Sequence, residues 1–395
     1  MIIKYPDLEN KRKLPSMDYN QRALDEHKRL KGKISVELKA DLATKDDLST
    51  FYSPGVGAVS SHLAEHPEEL RDYTWTNNTV AVISDGSAVL GLGNIGPEGA
   101  LPVMEGKCML FKHFAGIDAV PVVLNVHTAD EIIAVVKALA PTYGGINLED
   151  IGAPLCFEVE EKLKAELNIP VFHDDQHGTA VVVLAGLINS MKITGKDLNT
   201  CRAVVSGVGA AGVAIMKLLK KYAPGLEIIG LDSQGIISSN RADLNVVKQN
   251  LLHLGVLSGA IEGDLTEAVK GANIFIGVSK AGLLTADHIK LMAKDPIIFG
   301  LANPVPEIMP DEAKSAGALI VATGRSDFPN QVNNAVAFPG IFRGALDNRV
   351  TKITDDHKLA AAKVIAGLVQ NPTPDEIIPS VLDPRLVPEI SKVIV

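Results

Sequence analysis

Aromatic residues are scarce, at 4% of the 395 positions. Whatever core the chain builds must therefore rest on Ala, Val, Ile and Leu, which suits buried parallel strands covered by helices. Cysteine is nearly absent: Cys108, Cys156 and Cys201 are far apart and odd in number. That excludes a disulfide framework, argues against a structural zinc site and fits a reducing cytoplasm. Each cysteine reads as a small buried apolar residue. Positive charge is not in excess, since 38 Lys+Arg against 47 Asp+Glu leave −9, and nucleic acid and anionic membrane surfaces are poor partners for such a chain. No uninterrupted apolar stretch approaches a membrane span. The opening residues lack a signal-peptide apolar region, so a cytoplasmic location is expected.

What is present is 46% apolar residues in a length that suits two domains. The stretch that organises the rest is Phe172-His173-Asp174-Asp175-Gln176-His177-Gly178-Thr179, which runs into a long apolar segment, 180–188. Two acids at the mouth of an apolar helix admit two readings. One is a helix N-terminus with Asp175 capping and both acids at the positive dipole end. The other is a divalent cation, because charges near an apolar interior are paired or metal-bound. A second acidic pair, Glu149-Asp150, ends the apolar segment Ile146-Asn147-Leu148. The predicted helix 157–167 separates the two pairs. A right-handed crossover would set both strand ends side by side in a parallel sheet, where ligands bind. Four converging carboxylates then favour the cation, since like charges at close range destabilise one another.

The second strong signal is Arg202-Ala203-Val204-Val205-Ser206 entering Gly207-Val208-Gly209-Ala210-Ala211-Gly212, then an apolar-faced helix over 213–222 and a strand ending in Asp232. This is the order of a dinucleotide-binding βαβ unit. Glycines serve the tight turn, the approach to pyrophosphate and helix–strand packing, and the acid takes the adenosine ribose. An acid there disfavours a 2′-phosphate, so NAD is favoured over NADP, a preference that Lys248 and Gln249 could modify. A further match, Gly91-Leu92-Gly93-Asn94-Ile95-Gly96, runs into Pro97 and lacks the distal acid. It reads instead as a glycine-rich loop close to substrate, ahead of a helix over 99–113.

Other candidates are ambiguous on local grounds. Tyr52 sits before Ser53-Pro54-Gly55, held by a rigid turn or simply half-buried in a loop. Lys107 lies among apolar residues, either as a buried base of lowered pKa or with its head reaching water. Asn303 ends a strand beside Pro304, as a ligand contact or an ordinary turn residue. The polar loop 325–334 is rich in amides that could orient carboxylates. The segment 17–33 has helical character and reads as an arm or dimer contact. The tail from 355 onward is expected to pack back on the first domain.

Collected in order, FYSPGVG (51–57), GLGNIGPEGALPVMEGK (91–107), NLEDIGAP (147–154), FHDDQHGTA (172–180), GVGAAG (207–212), LDSQGII (231–237), ANPVPEI (302–308) and TGRSDFPNQVNNAVAFPGIFRGALD (323–347) resemble the malic enzymes over nearly the whole chain, in particular the short bacterial form. The resemblance implies an α/β fold of two domains. Residues 1–178 would form the substrate and metal domain and 179–349 the Rossmann-type dinucleotide domain, with 350–395 packing back. It implies oxidative decarboxylation of L-malate to pyruvate and CO2, with NAD reduced, or NADP as the alternative, and with Mg2+ or Mn2+ bound. Tyr52 would be the general acid and Lys107 the general base. Glu149, Asp150 and Asp175 would hold the metal, and Asp174 would orient Lys107 or the metal's surroundings. Asn303 and Asn334 would contact substrate, and Asn303 and Asn333 would lie near the cofactor. A homodimer is expected, with the N-terminal arm crossing to the partner. Many eukaryotic members carry a substrate-binding arginine where this chain reads Asp85-Gly86-Ser87-Ala88, so the carboxylate must be held otherwise. A phosphotransacetylase-like extension is not expected with the sequence ending at Val395. The rival readings are a malolactic or oxaloacetate-decarboxylating enzyme on the same site, an amino-acid dehydrogenase, and a non-catalytic dinucleotide sensor.

Overall fold

The computed structural model describes residues 19–89 and 92–395. These fall into two compact units, divided between residues 40 and 41. Within the first, α1 (Tyr19–Leu30) forms in the expected helical segment, with none of its residues buried; Met17 and Asp18 lie outside the described residues, as does Gly91 of the first glycine loop.

The second unit opens with short, poorly buried helices: α2 (Lys45–Phe51), α3 (Val56–Glu65) and α4 (Leu70–Tyr73). A capping box starts α2, with Thr44 and Asp47 each satisfying the other's backbone N–H. A four-stranded parallel sheet follows, ordered β2-β1-β3-β4, from β1 (Thr79–Ser84), β2 (Asp118–Val123), β3 (Gly145–Leu148) and β4 (Val171–His173). The crossovers are α5 (Gly96–Ala115), α6 (Ala129–Leu139) and α7 (Leu155–Glu166). Every residue of β1, β3 and β4 is buried, as near-continuous apolar strands require when both faces are covered. The expected juxtaposition is met: β3 and β4 pair in parallel, with Leu148 opposite His173, so Glu149-Asp150 and Asp174-Asp175 leave adjacent strand ends. α5 begins at Gly96, three residues ahead of the expected helix, with Pro97 at a first-turn position where a missing N–H costs nothing. The glycine loop thus does open into a helix. What separates it from a dinucleotide loop is the long excursion, residues 85–95, between β1 and that helix.

Helix α8 (Asp174–Thr194) leads to the second sheet, ordered β10-β9-β8-β5-β6-β7. Its strands are β5 (Arg202–Ser206), β6 (Glu227–Asp232), β7 (Gly235–Ile236), β8 (Ile274–Gly277), β9 (Ile297–Gly300) and β10 (Ile320–Thr323), parallel except for β7. α9 (Ala210–Tyr222) joins β5 to β6, and α10 (Val246–His253), α11 (Leu265–Val269), α12 (Ala286–Leu291) and α13 (Pro310–Ser315) complete the layers. Strand order reverses at β5/β8, a doubly wound pattern that opens a crevice at the strand C-termini.

One continuous core includes Val80 and Val82 of the first sheet, the apolar residues of α8, and Val205, Ile274 and Phe299 of the second. α8 approaches β9 so closely that a Cβ on Gly186 would sit 3.1 Å from the Phe299 ring. α14 (Phe338–Asp347) packs edge-on against α5, its Phe338 and Phe342 rings 4.7 and 5.2 Å from Phe111. In the tail, α15 (Asp355–Leu368) lies along α8 and α9, and α16 (Leu386–Ser391) along α14. Asn189 of α8 donates to the carbonyls of Ala366 and Ile377, at 2.9 Å each, fastening the tail to α8.

Candidate active site

The first turn of α8 overturns the cap in the first reading of Asp174-Asp175 but leaves both acids at the positive dipole end. His173 is the N-cap, with no side-chain cap bond, so the acids are the first two helical residues and neither caps. Asp175 Oδ2 accepts the Asp150 backbone N–H at 2.8 Å, which ties the two strand ends together. Asp150 adopts φ +54°, in the left-handed region that Asp tolerates better than most residues. Asn147, fully buried on β3, donates to Glu149 Oε2 at 3.0 Å.

Lys107 projects from α5 into this group. Its Nζ lies 2.6 Å from Asp174 Oδ2 and 2.8 Å from Glu149 Oε1, with the Phe338 ring 4.4 Å away. Burial alone would pull the lysine's pKa down, the behaviour expected from the sequence. The carboxylates of Asp174, Glu149 and Asp175 outweigh it and hold the ammonium well above its usual range. Among these acids the shift thus runs opposite to the lowered pKa expected from the sequence. Burial and neighbouring acids push Glu149 and Asp174 upward in turn.

Four carboxylates, three of them buried, face one ammonium, and Asp174 Oδ1 has no hydrogen-bond partner. An all-oxygen donor set of Glu149, Asp150 and Asp175 suits Mg2+ or Mn2+, so the residues fit such an ion by their chemistry. Their oxygens are not drawn together as in a closed shell. Among the described residues the acidic or histidine triple within 4.8 Å of one another is His66, Glu68 and Glu69, which is mostly exposed.

Gly178 makes the arrangement sterically possible. A Cβ there would meet Asp174 Oδ1 at 1.9 Å and Asn334 Cβ at 3.0 Å, which also brings Asn334 against the first turn of α8. The 85–88 segment is bound to the same edge: Ala88 N–H donates to the Asp150 carbonyl at 3.0 Å and Gly152 N–H to Ser87 Oγ at 2.8 Å. Tyr52 is not brought in. It follows α2, is 68% exposed, and among the described residues no hydrogen bond or ion pair joins it to the cluster. Asn303 is exposed and rests against Gly324, its Nδ2 3.1 Å from where a Cβ would be. Asn333 caps a short turn, accepting the Ala335 N–H at 2.9 Å.

The dinucleotide loop has the geometry that its glycines require. Gly207 has φ +107°, and a Cβ on Gly212 would meet the Gly207 carbonyl oxygen at 1.9 Å. Space around Gly209, the N-cap of α9, is open, so Ala210, Ala211 and Gly212 present helix N–H groups to an approaching phosphate. Asp232 differs from expectation. Both its oxygens are taken, by Arg241 at 2.8 and 3.1 Å and Lys248 at 2.6 Å. Although burial raises its pKa, these cations hold the carboxyl at about 2. Its charge is therefore compensated, which weakens the argument against a 2′-phosphate. Lys248 was legible as a modifier; Arg241, nine residues away beyond the β6–β7 hairpin, carried no local signal. Asn147 did carry one, as a polar residue inside an apolar strand on the same face as Glu149.

A doubly wound sheet with a glycine loop at its switch point, joined through α8 to a second parallel sheet edged with carboxylates and a lysine, defines a two-domain α/β nucleotide-dependent oxidoreductase. Residues 31–131 and 127–164 match the malic enzyme N-terminal domain, and 176–394 the malic enzyme NAD-binding domain. The chain is 51% identical over 381 residues to the bifunctional malic/malolactic enzyme of Bacillus subtilis, covering 96% of this chain and 92% of that one. It is 51% identical over 367 residues to the NAD-dependent malic enzyme of Geobacillus stearothermophilus, covering 92% and 76%. The crystal structure of the NAD-dependent malic enzyme from Thermotoga maritima superposes with a TM-score of 0.91 at 49% identity, covering 94% and 98%. The chain belongs to the malic enzyme family.

Proposed function

We propose that this protein oxidatively decarboxylates L-malate to pyruvate and CO2 with reduction of NAD or NADP. The observation that carries the reading is Lys107, held 2.6 and 2.8 Å from two acids at the joined ends of β3 and β4. Glu149, Asp150 and Asp175 would hold Mg2+ or Mn2+. Bound nucleotide supplies the hydride acceptor, and the bound metal supplies Lewis acidity toward the C2 oxygen and compensates the surrounding carboxylates.

Lys107 takes the C2 hydroxyl proton, a role that needs its neutral form. Asp174 orients it. Loss of the C2 hydride to the nucleotide would complete the β-keto acid, which loses CO2, and Tyr52 donates a proton to C3 of the enolate. Asn334, and Asn303 with the 85–88 segment, position substrate without adding charge, while Asn303 and Asn333 lie toward the nicotinamide. The 207–212 loop binds the pyrophosphate. Asp232 favours NAD, and its compensation by Arg241 and Lys248 leaves NADP usable. Residues 1–178 form the substrate and metal domain and 179–349 the dinucleotide domain, with 350–395 packed back.

The protein acts as a cytoplasmic homodimer. None of the residues in α2, α3 or α4 is buried, and Phe51, Tyr52, Tyr73 and Trp75 are 42–68% exposed. A second copy is the simplest cover for such a surface, and it would carry Tyr52 to the partner's Lys107 cluster. The test of the chemistry is Lys107→Ala: turnover should fall about 10³-fold, some 4 kcal/mol, with nucleotide binding retained. Unchanged turnover would remove Lys107 and this reading of the cluster.

A further inference from the structure

A cavity of about 370 Å3 lies among α7, α8, α9, α10 and α15. It is separate from the catalytic cluster, since none of Lys107, Glu149, Asp150, Asp174 and Asp175 lines it, nor does the 207–212 loop. Gln176 and His177, the next two residues of α8, do. Its size is that of a small-molecule site, roughly 300–1,000 Å3.

One wall is apolar, from Phe157, Val213 and Leu218. The other is a buried network rich in donors. Lys358 Nζ, on a side chain only 6% exposed, donates to His177 Nδ1 at 3.1 Å. His177 Nε2–H therefore donates to Glu160 at 2.8 Å. Glu160 is already engaged by two further donors, Lys164 Nζ at 2.5 Å and the His173 backbone N–H at 3.0 Å. The partner of Lys358, Asp355, is half-exposed and also faces Lys221. Lys164 thus holds the buried Glu160 carboxylate, while Lys358 rests on the His177 imidazole and the half-exposed Asp355; Glu161 and Lys217 also line the cavity. Burial, with Lys164 alongside, holds Lys358 below its usual range. The independent sign of a missing acceptor is Gln176: it is 3% exposed, and its amide nitrogen has no hydrogen-bond partner, a costly state for a buried donor.

We propose that this cavity binds a small anion, a carboxylate or phosphate on a short apolar body, and that occupancy is felt at the catalytic end of α8. The route is short, because Glu160 holds the His173 N–H immediately before Asp174 and His177 lies one turn beyond it. The coupling half rests on the role proposed above for Asp174 and Asp175; the binding half does not.

The test measures the thermal midpoint of the NAD-saturated protein, so that the dinucleotide loop is filled, with phenylphosphate and with benzoate. Two variants outside the catalytic machinery accompany it: Lys358→Met, which removes the buried ammonium, and Ala214→Phe, which fills the cavity from its α9 wall. At least one probe should raise the midpoint by about 2–5 °C at ~10 mM and shift the malate KM at least about twofold, and neither effect should survive in the variants. The probe that works distinguishes phosphate from carboxylate. No stabilisation by either probe, or stabilisation that persists in both variants, overturns the site. Stabilisation with an unchanged malate KM overturns the coupling. Should Lys358→Met fail to fold, Ala214→Phe decides. Binding is read without malate, so a protein that bound the probe yet failed to turn malate over would count against the proposed reaction and not against the site.

Discussion

At the residue scale, the tension lies in Lys107. Three acids hold its proton in place, whereas a base must give it up, so its function depends on a competing positive charge among the same acids. The spacing of Asp174 from Lys107 depends on a glycine one turn along. Gly178→Ala should gain about 1 kcal/mol of helix propensity. The added methyl must nonetheless displace Asp174 Oδ1, 1.9 Å from its position. The displacement should win: turnover is expected to fall at least about tenfold, a barrier change of roughly 1.4 kcal/mol, in a protein whose circular dichroism is unchanged. Full activity in Gly178→Ala would show that the Lys107–Asp174 contact is dispensable. Tyr52→Phe should slow pyruvate formation more than it slows reduction of oxaloacetate; equal losses would argue against the acid role. Residue identities were legible where chemistry and pattern conflict, as with two acids beside an apolar run. Partners brought in by tertiary structure, such as Phe338 over Lys107 or Arg241 on Asp232, left no trace in the sequence.

Elements were legible where periodicity is unbroken. β5 forms over the expected residues, and α9 begins within the glycine signature that announces it. Boundaries failed where polar residues serve the site instead of ending the element. α8 starts at Asp174, six residues before the apolar stretch 180–188, because its first turn is spent on Lys107 and Asp150. The ion-paired end of β6 yields a pH prediction. Asp232 is held at about 2 against an ordinary 3.8. It therefore contributes stability that is fully present above the unfolded value and lost as pH falls through the folded one. Arg241→Met removes one of its two cations, so its acid-unfolding midpoint should move to higher pH, while Arg241→Lys should restore part of the difference. An acid transition identical to that of the unaltered protein would mean that the pair does not contribute.

At the scale of the whole molecule, the alternation of apolar segments with two distinct signatures implied two parallel sheets, and both are present. How α8 merges their cores could not be read from local pattern, since Gly186 against Phe299 is a contact between distant segments. The exposed α2–α4 surface makes assembly testable by complementation. Tyr52→Phe and Lys107→Ala proteins, each nearly inactive, should regain activity when unfolded together and refolded as a mixture, because some mixed dimers would hold one site with both residues intact. Mixtures no more active than the separate variants would place Tyr52 in its own subunit's site or outside the reaction. The central claim is the reaction itself, and its most direct measurement is a product balance: L-malate consumed, pyruvate formed and nucleotide reduced, followed with NAD and with NADP, with and without Mg2+ or Mn2+. One pyruvate and one reduced nucleotide per malate, abolished by a chelator and restored by either metal, is the predicted result. Lactate formed without net nucleotide reduction, or turnover indifferent to the chelator, would contradict it.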